Sequence, residues 1–251
     1  MLIHGVELVV HPEHRALLEG LTSPSDVVAK WGAVRPASDQ RSTVADLTLP
    51  QGHYFLKIYA YQGLWRLRTL FVASRAIREY RNLLRLAEYG FQVPQPVAAG
   101  QARTLGFVGD SFVMTRAIEH PVSMWTYVYE AAKAPFPIPG RAERLRLIAD
   151  FARVLRRAHD DRYFIHTLRS KNVLLTRDGD RYALHVIDVP FAGILRWKLF
   201  PRAGRIRDLA LLMKWARALL SRTDRMRFAT LYGASPDLLR AAQAYQERHY
   251  P

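Results

Sequence analysis

His166-Thr-Leu-Arg-Ser-Lys-Asn172-Val-Leu-Leu175 runs on through Thr176, Arg-Asp-Gly-Asp and Arg181 to Tyr182-Ala-Leu-His-Val-Ile-Asp188. Two apolar runs, Val173–Thr176 and Tyr182–Asp188, flank a Gly-Asp turn signal, which predicts a β-hairpin. An amide, Asn172, stands at its entrance and a carboxylate, Asp188, at its exit. Both supply hard oxygen ligands, and a carboxylate ending an apolar strand either holds a metal or caps a turn.

On either side of this hairpin the period is helical. Arg141–Asp160 carries Leu145, Ile148, Ala152, Leu155 and His159 along one stripe, Arg205–Leu220 forms a second helix, and Pro236–Arg248 a third. Pro135-Phe-Pro-Ile-Pro-Gly140 breaks the chain before them. Towards the amino terminus the pattern changes to strands. Val6–Val10, Ser42–Leu49 and His53–Tyr59 are predicted strands, the last alternating Tyr54, Leu56 and Ile58 against Phe55, Lys57 and Tyr59. A helix follows from about Val72 to Tyr89, with Ile77, Tyr80, Leu84 and Ala87 as its apolar stripe, Glu79 on it, and Gly90 as its stop. Val93-Pro-Gln-Pro-Val97 is extended, and Leu105–Val108 with Ser111–Thr115 predicts a hairpin turning at Gly109-Asp110. The layout is α+β: a strand-rich part holding one helix over residues 1–118, then a mainly helical part with a small hairpin over 119–251.

The 251 residues are 49% hydrophobic and 24% charged, enough to bury a core of ordinary size. There is no cysteine, which excludes disulfides, thiolate nucleophiles and iron–sulfur ligation. Lys and Arg number 37 against 22 Asp and Glu, and the net charge of +15 calls for acidic partners. No stretch approaches a membrane span or a signal peptide, so a non-spanning protein is expected. Tyr59–Phe71 and Phe191–Phe200 interleave aromatic, aliphatic and basic residues, the composition of a surface resting on an anionic bilayer or on a phosphorylated glycolipid. No helix-turn-helix, zinc finger or aromatic sheet motif accompanies the charge, so nucleic acid is not the expected partner.

Taken singly, Lys57, Glu79, Asn172 and Asp188 read as ordinary surface or turn residues. In this order and separation, a strand lysine, a helix glutamate, then an Asn sixteen residues before an Asp, they have what phosphoryl transfer from ATP requires. Here the chain resembles the protein-kinase-like fold and, within it, the lipopolysaccharide core kinases that phosphorylate Kdo or heptose. The matching segments are Phe55–Tyr59, Arg78–Gly90 with Val93–Gly100, His166–Leu175, Val186–Asp188 and, for a helix that braces the loop, Arg207–Ala210, so the resemblance covers roughly residues 50–220.

The resemblance implies a two-lobed fold with a small antiparallel-sheet lobe and a helical lobe. Lys57 and Glu79 would pair on the nucleotide phosphates, and Asn172 and Asp188 would hold Mg2+. ATP and an acidic sugar or glycolipid acceptor would be the substrates, at the cytoplasmic face of the inner membrane. Two positions depart from the family pattern. Five residues before Asn172, where the family keeps a catalytic Asp, stands Thr167, preceded by His166. A hydroxyl is no general base near neutral pH, so His166 is the candidate substitute, and a nucleotide-binding pseudokinase is the alternative reading. Between the first strands, Ala37–Val44 holds no glycine; there Ser42 and Thr43, with Arg41, would meet the phosphate, unless they are only a polar hairpin tip.

Overall fold

A computed structural model describes residues 5–31, 42–61, 63–194 and 199–250. It divides into two compact units: Met1–Leu84 with Pro94–Ala117, and Arg85–Val93 with Ile118–Pro251.

The first unit is built on a five-stranded antiparallel sheet of β1 (Gly5–Val10), β2 (Ser42–Leu49), β3 (Gly52–Tyr59), β4 (Pro96–Thr104) and β5 (Phe107–Arg116). Their order is β1-β4-β5-β3-β2. The alternation read in β3 is real: Tyr54, Leu56 and Ile58 are buried on one face, against Leu17, Leu18 and Val27 from a 3-10 turn (Pro12–Leu18) and helix α1 (Pro24–Lys30). Tyr59 is buried on the opposite face, in the cluster that includes Ala76, Ile77 and Tyr80 of α2 (Arg75–Tyr89).

The predicted turn at Gly109-Asp110 is corrected by the structure. The chain reverses at Leu105-Gly106, whose φ values of 51° and 80° are those of a two-residue hairpin turn. Gly109 and Asp110 lie within β5 as a bulge, because the register passes from Gln101↔Ser111 to Arg103↔Val108 and leaves two residues opposite one. The Gly-Asp pair serves an irregular strand instead of a turn, and the Asp110 carboxylate accepts a hydrogen bond from Ser25 Oγ at 2.6 Å.

The second unit is helical around a small sheet of β6 (Val122–Ser123), β7 (Val173–Asp178) and β8 (Arg181–Val186). The hairpin predicted from the sequence is the β7–β8 pair, in register from Val173↔Val186 to Asp178↔Arg181. Around it stand α3 (Met124–Tyr129), α4 (Arg141–Asp160), α5 (Pro201–Leu219), α6 (Arg222–Tyr232) and α7 (Pro236–His249). Leu147, Ile148, Phe151, Ala152 and Leu155 of α4 are buried, as are Leu209, Leu211, Leu212 and Trp215 of α5.

Candidate active site

In the first unit the site begins with how α2 is anchored. The Ser74 hydroxyl caps the helix by accepting from Ile77 N–H at 3.1 Å, while Ser74 N–H donates to the Gln101 side chain of β4 at 2.8 Å. With its start fixed and Ile77 and Tyr80 packed on the sheet, the helix delivers Glu79 to β3. Lys57 Nζ meets Glu79 Oε2 at 3.5 Å, with side-chain exposures of only 19% and 6%. The Tyr59 hydroxyl, two residues along on the same face, donates to the same oxygen, and the ammonium lies 5.0 Å from the Tyr59 ring centroid. A buried carboxylate is tolerated only when so satisfied, and two donors on one oxygen hold it in a single orientation. Sequence reading paired Lys57 with Glu79 but missed Tyr59, although strand alternation already put it on the face of Lys57.

Ser42 and Thr43 part company. Ser42 pairs with Tyr59 and Val44 with Lys57, so Ser42 lies on the face of β3 that carries the ion pair. Thr43 pairs with Ile58 and lies on the opposite face, its hydroxyl buried without a hydrogen-bond partner. Arg41 and the rest of 37–41 fall outside the described residues.

In the second unit the centre is Asp208, fully buried on α5. Its carboxylate accepts from Ile165 N–H at 2.7 Å, His166 N–H at 2.6 Å and the His159 ring at 3.0 Å. Burial alone would raise its pKa, but the hydrogen bond from His159, the neighbouring His166 and His159 rings and the Ile165 backbone donor keep it below the usual carboxylate range. An ionised Asp208 accepts from His159 Nε2–H, which leaves Nδ1 to accept from the Tyr232 hydroxyl at 2.7 Å. Burial pushes that phenol up to about 12, so it keeps its proton and serves as the donor. Seven residues after Asp208, two helical turns on, Trp215 donates to the Leu168 carbonyl at 3.0 Å. One face of α5 therefore grips the loop twice, at Ile165–His166 and at Leu168. The i, i+7 spacing of two polar groups in an apolar helix was the signal for Trp215, and it was not read.

The loop so held takes strained backbone. His166 has φ 62° and Asp188 φ 56°, left-handed values that cost a residue with a side chain on the order of 1 kcal/mol. Asp208 keeps His166 there by binding its N–H. Thr167 is buried, and its hydroxyl donates to the Ile165 carbonyl at 3.5 Å. Asn172 Nδ2 donates to the Thr167 carbonyl at 3.1 Å and closes the loop. This commits the amide nitrogen and leaves Oδ1 as the atom of Asn172 that could hold a cation. The Asn172 carbonyl accepts from Ile187 N–H at 3.0 Å, so β7 and β8 set Asn172 beside Ile187, one residue before Asp188. The His166 imidazole is 2% exposed, and burial draws its pKa below the ordinary histidine value despite the Asp208 charge.

The structure thus brings Lys57 together with Glu79 in one unit, and Thr167, Asn172 and the Asp188 segment together in the other. Comparison with known proteins adds the family. The model of the lipopolysaccharide kinase (Kdo/WaaP) family matches residues 37–232. No match to a curated protein was found. Among solved structures, WaaP in complex with acyl carrier protein superposes with a TM-score of 0.68 at 22% identity, over 98% of this chain and 100% of that one. The Rio2 kinase–ADP/Mg2+–phosphoaspartate complex from Chaetomium thermophilum gives a TM-score of 0.49 at 14% identity, over 89% and 74%. The Mycobacterium tuberculosis PknI kinase domain gives 0.47 at 14%, over 86% and 94%. The likeness to WaaP shows the fold, and the kinase-like architecture expected from the sequence is the one found.

Proposed function

Because the chain belongs to the lipopolysaccharide kinase (Kdo/WaaP) family, whose kinase activity implies ATP, we propose that it transfers the γ-phosphoryl group of ATP to a sugar hydroxyl of the lipopolysaccharide core, Kdo or heptose, or of a similar glycolipid. The observation that carries this reading is the Lys57–Glu79 pair, two nearly buried charges 3.5 Å apart and 22 residues apart in sequence. A pair whose only task was stability is commonly replaceable by apolar packing, so its burial favours work on an anion. In this reading Glu79 and Tyr59 aim the Lys57 ammonium, which neutralises phosphate oxygens, and Ser42 donates from the same face.

Asn172 Oδ1 and the Asp188 carboxylate form an all-oxygen donor set suited to magnesium and would hold it. Bound there, that ion supplies charge neutralisation on the nucleotide phosphates. In the transfer the acceptor oxygen bonds to the γ-phosphorus as the bond to the ADP oxygen breaks, and the acceptor hydroxyl proton must leave. Thr167 cannot take it. His166, held neutral by burial, is the substitute base in this reading. The transition state is loose, so loss of a carboxylate base slows the reaction by about 10²–10⁴ without abolishing it.

Thr167 itself favours a second reading, a pseudokinase that binds nucleotide and acts as a scaffold or regulator. The family reading also takes a partner from the solved relative, an acyl carrier protein. Its support in this chain is a cavity of about 380 Å³ in the second unit, lined by Leu147, Leu209, Leu212, Trp215 and Phe228, with Arg144, Arg222 and Arg225 also in its wall. An apolar chamber with cationic groups suits an acyl chain borne on an acidic carrier. At the whole-molecule level the reading places the protein on the anionic cytoplasmic face of the inner membrane. It rests there on the net charge of +15 and on exposed Phe71, Leu199 and Phe200.

Calorimetric titration of ATP with and without magnesium, on the native chain and on Asp188→Ala, tests the nucleotide site without knowledge of the acceptor. Magnesium-dependent binding lost in the variant is the expected result. No binding to the folded native chain would overturn the kinase reading.

A further inference from the structure

Outside the site just described, His11, Glu13 and His14 converge at the end of β1. We propose that they form a site for a divalent transition-metal ion of the zinc class. One donor atom from each, the His11 and His14 ring nitrogens and a Glu13 carboxylate oxygen, lies within 4.8 Å of the other two.

The convergence follows from the backbone. His11 N–H donates to the Val97 carbonyl at 2.8 Å, which continues the β1–β4 pairing by one residue, and Pro12 then starts a 3-10 turn. His14 N–H returns to the His11 carbonyl at 2.9 Å. A 3-10 turn has three residues per revolution, so residues i and i+3 are eclipsed and the two rings stand on one side, 6.0 Å between centroids. Glu13 reaches between them, its Oε2 3.8 Å from His11 Nδ1. Gln95 Nε2 donates to that same Oε2 at 2.8 Å and orients the carboxylate. The His14 ring is held edge-on against Tyr54 at 6.2 Å.

The decisive observation is chemical. His11 Nδ1 and His14 Nε2 are both buried, and neither has a hydrogen-bond partner. Two orphaned imidazole nitrogens facing one carboxylate are costly as they stand, and a cation bound by all three satisfies both nitrogens at once. Separations of this size close onto a common ion at about 2.0–2.2 Å per ligand by small side-chain rotations. Two imidazoles and one carboxylate suit zinc, cobalt or nickel and are too nitrogen-rich for magnesium. The Glu13–Gln95 bond is the outer-shell support that such ligands carry. All the residues lie in the first unit, so the ion would pin the end of β1 and the 3-10 turn to the segment entering β4.

The test is a zinc titration of the full chain against a chromophoric chelator, with cobalt absorption as the second readout. The chain is expected to withdraw one equivalent of zinc from the chelator and to give the intense visible bands of low-coordinate cobalt. His11→Gln with His14→Gln should abolish both, Glu13→Gln should weaken zinc binding by at least tenfold, and Asp188→Ala should leave both unchanged. Zinc uptake that is absent from the native chain, or equal in the folded double variant, overturns the proposal. Because Asp188→Ala reports on the nucleotide site alone, failure here and failure of the kinase reading are distinguishable.

Discussion

At position 167 a hydroxyl stands five residues before Asn172 on a loop held by Asp208, Trp215 and Asn172. Its backbone carbonyl accepts from Asn172 Nδ2, so position 167 is held firmly whatever its side chain. Introducing a carboxylate there tests whether the rest of the site is assembled: Thr167→Asp should raise phosphoryl transfer by about 10²–10⁴, read on a verified acceptor. An unchanged rate would mean that another group already takes the proton or that the loop does not serve catalysis. Two histidines give a second residue-scale expectation. Burial lowers the pKa of both His166 and His185 from 6.5. In the unfolded chain they bind protons near 6.5, but in the folded chain only at lower pH. Their contribution is therefore intact above about pH 6.5 and is lost as pH falls from there towards their folded values. Urea unfolding should show stability declining through this window, by up to about 1.4 kcal/mol per pH unit for each histidine. His185→Gln should flatten the decline, and an identical slope would assign it to other groups.

At the scale of elements, Gly204 sets how closely α5 lies on the loop. A methyl group there would sit 2.7 Å from the Phe164 ring, and Gly204 is one helical turn before Asp208. Gly204→Ala should destabilise the chain by about 1–3 kcal/mol in urea unfolding and lower transfer at the same time, because it pushes Asp208 away from the Ile165 and His166 amides. Wild-type stability would show that the helix has room to spare.

What was legible at this scale was periodicity. β2 was read at its observed bounds, Ser42–Leu49, because threonine and valine mark an extended run, and the β7–β8 hairpin was announced by Arg-Asp-Gly-Asp between apolar strands, which turns at Gly179-Asp180. On α2 the expected Ile77 and Tyr80 are buried and Leu84 packs partly buried against their cluster, but Ala87 is exposed and Leu83, Leu86 and Tyr89 are buried instead, so the stripe rotates towards its end. Both choices satisfy a helical period, and tertiary packing chose between them. The β4–β5 turn escaped because Leu105 occupies a left-handed turn position that leucine rarely marks, while Gly109-Asp110 mimicked a turn and formed a bulge. The six-residue α3 was missed because it is too short to show a period, and α1 because a capping box of Ser23 and Asp26, visible only locally, starts it. α6 escaped too; arginines interrupt its apolar positions. Of the candidate site, the residue types and their order were readable. The bracing of the loop by the helix at Asp208 was expected from the family resemblance, and the bonds to the Ile165 and His166 amides carry it; the bond from Trp215 to Leu168 was not foreseen, because the i, i+7 spacing that marks it does not name its partner.

For the molecule as a whole, charge and surface apolarity point the same way. No helix among the described residues is long and apolar enough to cross a membrane, yet Phe71 is 82% exposed, Leu199 66% and Phe200 61%. With a net charge of +15, the chain should sediment with vesicles containing anionic lipid and should dissociate as salt is raised, because surface attraction falls off within a Debye length. Leu199→Ser with Phe200→Ser should weaken what remains at high salt. Binding that is indifferent to both lipid charge and these substitutions would remove the membrane from the account. Trp197, expected from the sequence to share this surface, lies outside the described residues.

The central claim is tested most directly by following the γ-phosphate of labelled ATP into a lipopolysaccharide core glycolipid carrying unphosphorylated Kdo and heptose. Slow, chain-dependent transfer to a sugar hydroxyl is expected, which Lys57→Met and Asp188→Ala each reduce by about 10²-fold or more. Label that never reaches the glycolipid with the native chain, or that reaches it equally well with Lys57→Met, would contradict it.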